Sequence, residues 1–254
     1  MTFSGRWSAH RIADDLRNHI QNGEFAPDGR LPSTQELVSQ YKSSAVTVRQ
    51  AVQRLKNMGL VTSQTGVGVY ARRIDPIAWR AHRSDGHGRG EYPNGDVDDW
   101  TASIEELGRV PSYDAPEVTV ELVEDDIASW LDIEAGTFAV VQRCLRRVDG
   151  VPHQLVDIWF PKEIAIDSPL MKPSGATMDA DTLAGIGPPQ VRRRRLLRGW
   201  LPTEEEIGRL ELDADAANPV LRHVLVSYDA ANKPVRCEVT IAPGDRNLLV
   251  LDDE

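Results

Sequence analysis

Residues 33–59, STQELVSQYKSSAVTVRQAVQRLKNMG, hold two helical patterns separated by one tight turn, and that stretch decides the fold. Ser33 followed three residues later by Glu36 is a capping box, which opens a short helix through Tyr41. Lys42-Ser43-Ser44 turns the chain. A longer helix follows from Ala45 to about Met58, and Gly59 closes it. Val48, Ala51, Val52 and Leu55 recur at i, i+3, i+4 and i+7 and must face inward. Thr47, Arg49, Gln50, Gln53 and Arg54 fall on the other faces. Two helices joined by a tight turn, the second with hydrogen-bonding side chains outside, form a helix-turn-helix.

Upstream, Ala9 to Gln21 reads as a helix. Ile12, Leu16 and Ile20 form one stripe, with Ala13 and His19 beside it, Ser8 as N-cap and Asn22-Gly23 as the stop. Phe25, Pro27, Asp28 and Gly29 make a turn-rich connection. Downstream, Leu60–Ser63 and Val67–Ala71 alternate as two strands around Gln64-Thr65-Gly66. This hairpin is a candidate wing, and Gly66 lets the backbone approach a groove or phosphate. Helix, helix-turn-helix and hairpin in that order make a winged helix.

Charge is segregated along the chain. Residues 1–73 carry ten Lys/Arg and five Asp/Glu, whereas residues 74–254 carry nineteen and thirty-four. A basic head on an acidic body suggests that the head meets phosphate and the body does something else, and chance segregation of surface charge is the alternative. The 254 residues fit one large domain or two modest ones. The longest apolar runs, such as Phe138–Val141, are four residues, far short of the ~20 that a membrane span needs. No signal-peptide core occurs in residues 1–10, and two cysteines fit a reducing compartment, so a cytoplasmic location is expected.

The ordered set Leu31-Pro32-Ser33, Thr47-Val48-Arg49, Leu55, Gly59-Leu60-Val61 and Gly66-Val67-Gly68-Val69-Tyr70 resembles the GntR family of bacterial transcription regulators over residues 8–73. Double-stranded operator DNA is then the expected partner. Ser44 to Gln50 would be the leading end of the recognition helix. Thr47, Gln50 and Gln53 suit base edges, and Arg49 and Arg54 suit phosphate or guanine, with a solvated surface role the blander option for Arg54. Arg30, Ser33, Thr34 and Gln35 stand at the start of the second helix, placed for phosphate. The family often carries arginine where this chain has Gln35, Ala45 and Val67. A less electrostatic interface is therefore expected.

From Ala115 the pattern is α+β. Strands are expected at Glu117–Leu122, Phe138–Val148, Gln154–Phe160, Arg192–Leu201, Val220–Asp229 and Pro234–Ala242, with helices at Asp125–Leu131 and from Thr203 through Leu210. Asp149-Gly150 between two such strands is a strong hairpin signal. The markers Gly136-Thr137, Arg146, Asp149-Gly150-Val151-Pro152, Phe160-Pro161, Leu201-Pro202-Thr203-Glu204-Glu205, Asn218-Pro219-Val220-Leu221 and Gly244-Asp245-Arg246 resemble the UTRA effector domain of the HutC subfamily over residues 113–250. The resemblance implies an antiparallel sheet with flanking helices, similar to chorismate lyase, which binds a small molecule and forms a homodimer. It places Arg146, Asp157, Trp159, Arg198 and Glu238 at or near effector-binding positions. An arginine there suits an anion and a carboxylate suits hydroxyls or an amine. The blander readings are an Arg146–Asp157 pair across the hairpin, a core Trp159 and a solvent-facing Glu238. Sugar-phosphate-sensing members tend to carry glutamate where this chain has Val156, which argues against an amino-sugar phosphate.

The organisation expected is a winged helix over residues 1–73, a linker over 74–112 and a UTRA-like domain over 113–254. The Gly- and charge-rich stretch from Trp79 to Trp100 reads as a long connection, open to proteolysis. His82 and His87 are a weak metal signal, and neither metal nor cofactor is expected. Arg192–Arg195 alternate in a strand and read as solvated or ion-paired, while Cys144 and Cys237 read as buried thiols. The expected function is a dimeric repressor of a palindromic operator, tuned by a small effector. An effector-independent plasmid-maintenance regulator, or a lyase-like enzyme with a DNA-binding head, are the alternatives. No catalytic residue is named, because no nucleophile–base arrangement or phosphate-cradling loop is present in the sequence.

Overall fold

The structure is a computed structural model that describes residues 7–25, 28–64, 66–72, 76–80, 97–171, 185–212 and 218–250. The chain divides into two units, Met1–Asp75 with Leu212–Asn218, and Pro76–Glu211 with Pro219–Glu254.

The first unit is a winged helix. Helices α1 (Ala9–Gln21), α2 (Thr34–Tyr41) and α3 (Ala45–Asn57) bury Ile12, Leu16, Leu37, Val48, Ala51 and Leu55 against one another. Ser8, Ser33 and Ser44 cap the three helices in turn, and Ser33 and Glu36 complete the capping box. Lys42 makes the turn between α2 and α3 in the left-handed region, at φ 47°. Gly59, at φ +68°, ends α3: its N–H reaches the Lys56 carbonyl and the Leu60 N–H reaches the Leu55 carbonyl. That double bond pattern is a Schellman motif, and it delivers the chain into the wing. Strands β1 (Val61–Gln64) and β2 (Gly68–Ala71) pair antiparallel, with Val61 opposite Ala71. His19 is not part of the apolar stripe; its ring lies against Glu24 at 2.5 Å and Asp15 at 3.3 Å.

The second unit is built on a seven-stranded antiparallel sheet. Its strands are β4 (Pro111–Tyr113), β5 (Glu117–Leu122), β6 (Phe138–Val148), β7 (Val151–Pro161), β8 (Arg192–Trp200), β9 (Val220–Tyr228) and β10 (Pro234–Pro243). The order is β4-β6-β7-β10-β9-β8, with β5 also on β6. Asp149 and Gly150 both have positive φ and join β6 to β7 in two residues. One face is covered by α6 (Lys162–Ala165) and the turn Pro169–Met171, around a core of Val140, Val156, Ile158 and Phe160. Helices α5 (Asp125–Leu131) and α7 (Glu204–Arg209) flank the cleft over the other.

Two expectations need correction. Strand β7 starts at Val151 rather than Gln154. Pro152 is accommodated because the register shifts at Arg146/Arg147, beside the proline that cannot donate to the ladder. The 74–112 stretch is also not all linker. It contributes β3 (Ile77–Arg80), which pairs parallel with β11 (Asn247–Val250), and α4 (Val97–Glu106). Trp100 and Ile104, one helical turn apart, are buried with Ile77 and Val148. The Gly-rich composition upstream hid this amphipathic pair. His82, His87 and most of the Trp79–Trp100 stretch lie outside the described residues, as does Thr65 of the wing turn.

Candidate nucleic-acid interface and effector cleft

On the winged helix, α2, α3 and β2 enclose a concave surface of about 1050 Å³. It brings together Arg30, Ser33, Thr34, Arg49 and Gln53, and adds Lys56, which the sequence reading did not name. Lys56 is a last-turn cation on α3, and only its helical phase could have revealed it. Ser33 is occupied as an N-cap, and hydrogen bonding to the Glu36 carboxyl, first from the Ser33 side chain and then from its backbone N–H at 2.7 Å, holds that carboxyl below its ordinary range. Arg30 donates from Nη2 to the Val67 carbonyl at 3.0 Å and so ties the start of α2 to the wing.

Gln35, Ser44, Thr47, Gln50, Arg54 and Gly66 lie outside that surface. Ser44 Oγ accepts from the Thr47 N–H at 3.1 Å and meets the Thr47 hydroxyl at 2.8 Å, so both define the leading end of α3. Gln53 donates to Asn57 at 2.9 Å. Thr34, Gln35, Arg49, Gln50 and Arg54 are exposed, and Gly66 stands exposed at the wing turn. The first turn of α3 carries no acidic residue, which suits a helix N-terminus aimed at phosphate.

In the second unit the strand register sorts the five effector candidates onto two faces. Arg146 and Glu238 share one face. Arg146 stands opposite Gln154, and Glu238 opposite Ile158 and Leu225. Both are buried, at 2% and 5% exposure. Arg146 donates from Nη1 to Gln154 at 3.0 Å and stacks over Trp100 at 5.1 Å, while its Nε and Nη2 have no hydrogen-bond partner among the described residues. Glu238 Oε1 accepts from Thr240 at 3.4 Å, and its Oε2 is unpartnered in the same sense, as is the buried Ser227 hydroxyl. Gln154 extends the network to Asn247 at 3.1 Å.

Asp157, Trp159 and Arg198 belong to the opposite face. Asp157 pairs with Arg143 at 3.1 Å, not with Arg146. Arg143 also grips Glu121 with both Nη atoms, which pulls that carboxyl down to about 2. Burial pushes the Asp157 carboxyl up, against the opposing pull of Arg143. Trp159 and Asp157 line an open cleft of about 810 Å³, with Leu155, Val239, Ile241 and Trp200. Arg198 is exposed and lies over Trp200 at 4.6 Å, outside that lining. Arg143, Glu121, Arg222 and Trp200 were not named from sequence. Cys144 and Cys237 are buried free thiols, and burial pushes both upward, Cys144 to about 11. Of the arginine run, Arg192 lies over the Tyr228 ring at 3.7 Å and donates to Asn232.

Residues 8–71 match the model of bacterial regulatory proteins of the gntR family, and residues 106–247 match the UTRA domain. The chain is similar to the HTH-type transcriptional regulator GgaR of Escherichia coli K12, 22% identical over 243 residues, covering 96% of this chain and 90% of that protein. It is similar to the histidine utilization repressor of Pseudomonas putida, 23% identical over 239 residues, covering 94% and 89%. Over 64 residues, 25% of this chain and 26% of the other, it is 39% identical to the transcriptional repressor NagR of Bacillus subtilis. Among solved structures, PhnF of Mycobacterium smegmatis shares the fold with a TM-score of 0.54 at 20% identity, over 96% of this chain and 99% of that one. A structure assigned to the GntR-family transcriptional regulators does so at 0.68 and 22%, over 97% of both chains.

Proposed function

Because this chain belongs to the gntR family of bacterial regulatory proteins and carries a UTRA domain, we propose that it is a dimeric, effector-tuned repressor of an inverted-repeat operator. It is a transcriptional regulator with a DNA-binding head and an effector domain. Helix α3 would enter the major groove with Thr47, Arg49 and Gln50 leading, while Thr34, Gln35 and Arg30 contact phosphate. The wing, with Gly66 at its turn, would follow the adjacent backbone. A two-fold dimer would then read two half-sites about one helical turn apart. We infer a non-enzymatic role in the bacterial cytoplasm, in line with the relatives' names.

The observation that carries the effector reading is the buried Arg146. A guanidinium at 2% exposure with two nitrogens unpartnered among the described residues is costly unless a bound anion completes it. Glu238 and Ser227 on the same face leave further acceptor and donor positions for hydroxyl or amine groups. The effector class is therefore a small polar anion bearing hydrogen-bonding groups.

The test is operator binding by the full chain across a panel of anionic metabolites, with Arg146→Met alongside. One or more anions should change wild-type affinity severalfold and leave Arg146→Met unmoved. An effector response that survives in Arg146→Met would overturn the assignment.

A further inference from the structure

The second face of the sheet carries a separate constellation. Leu155, Asp157 and Trp159 stand at every second position of β7 and so point the same way, beside Val239 and Ile241 of β10. They belong to the cleft of about 810 Å³, with Trp200 at its side. Its lining holds seven carboxylates against three guanidinium groups, an excess of four negative charges. Each guanidinium is already engaged: Arg143 by Glu121 and Asp157, Arg222 by Asp126 at 2.9 Å, and Arg209 by Glu205 at 3.6 Å.

At the Asp157 position the compensation is uneven. Arg143 gives both Nη atoms to Glu121 and only Nε to Asp157, so Asp157 shares a counter-ion. The indoles here already accept planar cations: Arg143 lies over Trp159 at 5.5 Å, and Arg222 lies over Trp130 at 5.1 Å and Trp200 at 5.8 Å. A half-compensated carboxylate between an indole and three aliphatic side chains selects one chemistry. A cationic head pairs with the carboxylate while an apolar body covers the aliphatic floor. An anion would meet the excess negative charge. A neutral apolar ligand would desolvate Asp157 without giving it a donor.

We propose that this cleft is a second binding site, on the sheet face opposite Arg146 and Glu238, for an amphipathic organic cation. Asp157 is its ion-pairing group and Trp159 its stacking surface. The site goes beyond the anionic effector reading and stands independently of it, because the two faces share none of these side chains.

Calorimetric titration of the full chain with benzamidine tests it, with the neutral isostere benzamide and the anion benzoate as comparators. Benzamidine should bind saturably, benzamide at least about tenfold more weakly and benzoate not at all. Asp157→Asn, which leaves the Arg143–Glu121 pair in place, should weaken benzamidine by about tenfold or more, and Trp200→Ala by a smaller factor. Arg146→Met should bind benzamidine like the wild type, which separates this site from the opposite face. Equal binding of benzamide or benzoate, an unchanged Asp157→Asn, or loss in Arg146→Met overturns the proposal. So does the absence of saturable binding by all three compounds, as a cleft covered by a second copy would give.

Discussion

Arg49 and Arg146 are the same residue type in opposite surroundings. Arg49 is exposed on α3, so its removal costs the fold little and takes a charge from the surface proposed to meet DNA. Arg49→Ala is expected to weaken operator affinity about 10–100-fold with an unchanged melting temperature, checked by fluorescence anisotropy and thermal denaturation. Arg146 is buried with two nitrogens that have no hydrogen-bond partner among the described residues, so replacing it with methionine removes a desolvated charge. Arg146→Met is expected to melt at or above the wild-type temperature; a fall of more than about 5 °C would contradict this reading of its burial. Residue types at the site were partly legible: the polar outer face of α3 follows from helical periodicity alone. The partner of Asp157 was not. A two-residue turn at Asp149-Gly150 without a bulge would set Arg143 opposite Val156 and turn Arg143 and Asp157 to opposite faces. The shift at Arg146/Arg147 moves the register by one and brings Arg143 opposite Asp157. Nothing local announces that shift except Pro152.

At the scale of elements, the helix-turn-helix turn and the β5–β6–β7 ladder make distinct predictions. Lys42 holds the left-handed region at φ 47°, where a side chain costs about 1 kcal/mol and glycine does not. Lys42→Gly should therefore stabilise the protein by about 0.5 kcal/mol after the entropic cost of glycine, measured as a rise in urea midpoint. Glu121 is held at about 2 by hydrogen bonds from Arg143, below its unfolded value of 4.5. A depressed carboxyl stabilises the fold above the unfolded value and loses that contribution as pH falls. The urea midpoint should thus drop from pH 4.5 toward 2, and Glu121→Gln should flatten that part of the profile. An unchanged slope would contradict the Glu121–Arg143 ladder. The three head helices were readable from stripes and caps because each cap is one side chain acting within three residues. Helix α4 was not, because its signal is the single pair Trp100 and Ile104 next to a Gly-rich run, and their burial depends on Ile77 and Val148.

At the scale of the whole molecule, the charge division matters most. Five net positive charges over residues 1–73 face fifteen net negative charges over residues 74–254, so phosphate attraction must come from the head. With Gln35, Ala45 and Val67 where the family often carries arginine, few counter-ions are expected to be released on binding, and log affinity should fall only gently with log salt. A slope near −10 would refute that reading. The division into a helical head and an antiparallel body was legible from pattern and resemblance. The separation of the body's candidates onto two faces needed the register.

The most direct test of the account is capture of genomic fragments by the full-length protein, run beside Arg49→Ala. The account predicts enrichment of one short inverted repeat, with half-sites about a helical turn apart, by the wild type and its loss in the variant. Absence of any enriched repeat at moderate salt, or the same repeat captured equally by Arg49→Ala, would contradict it.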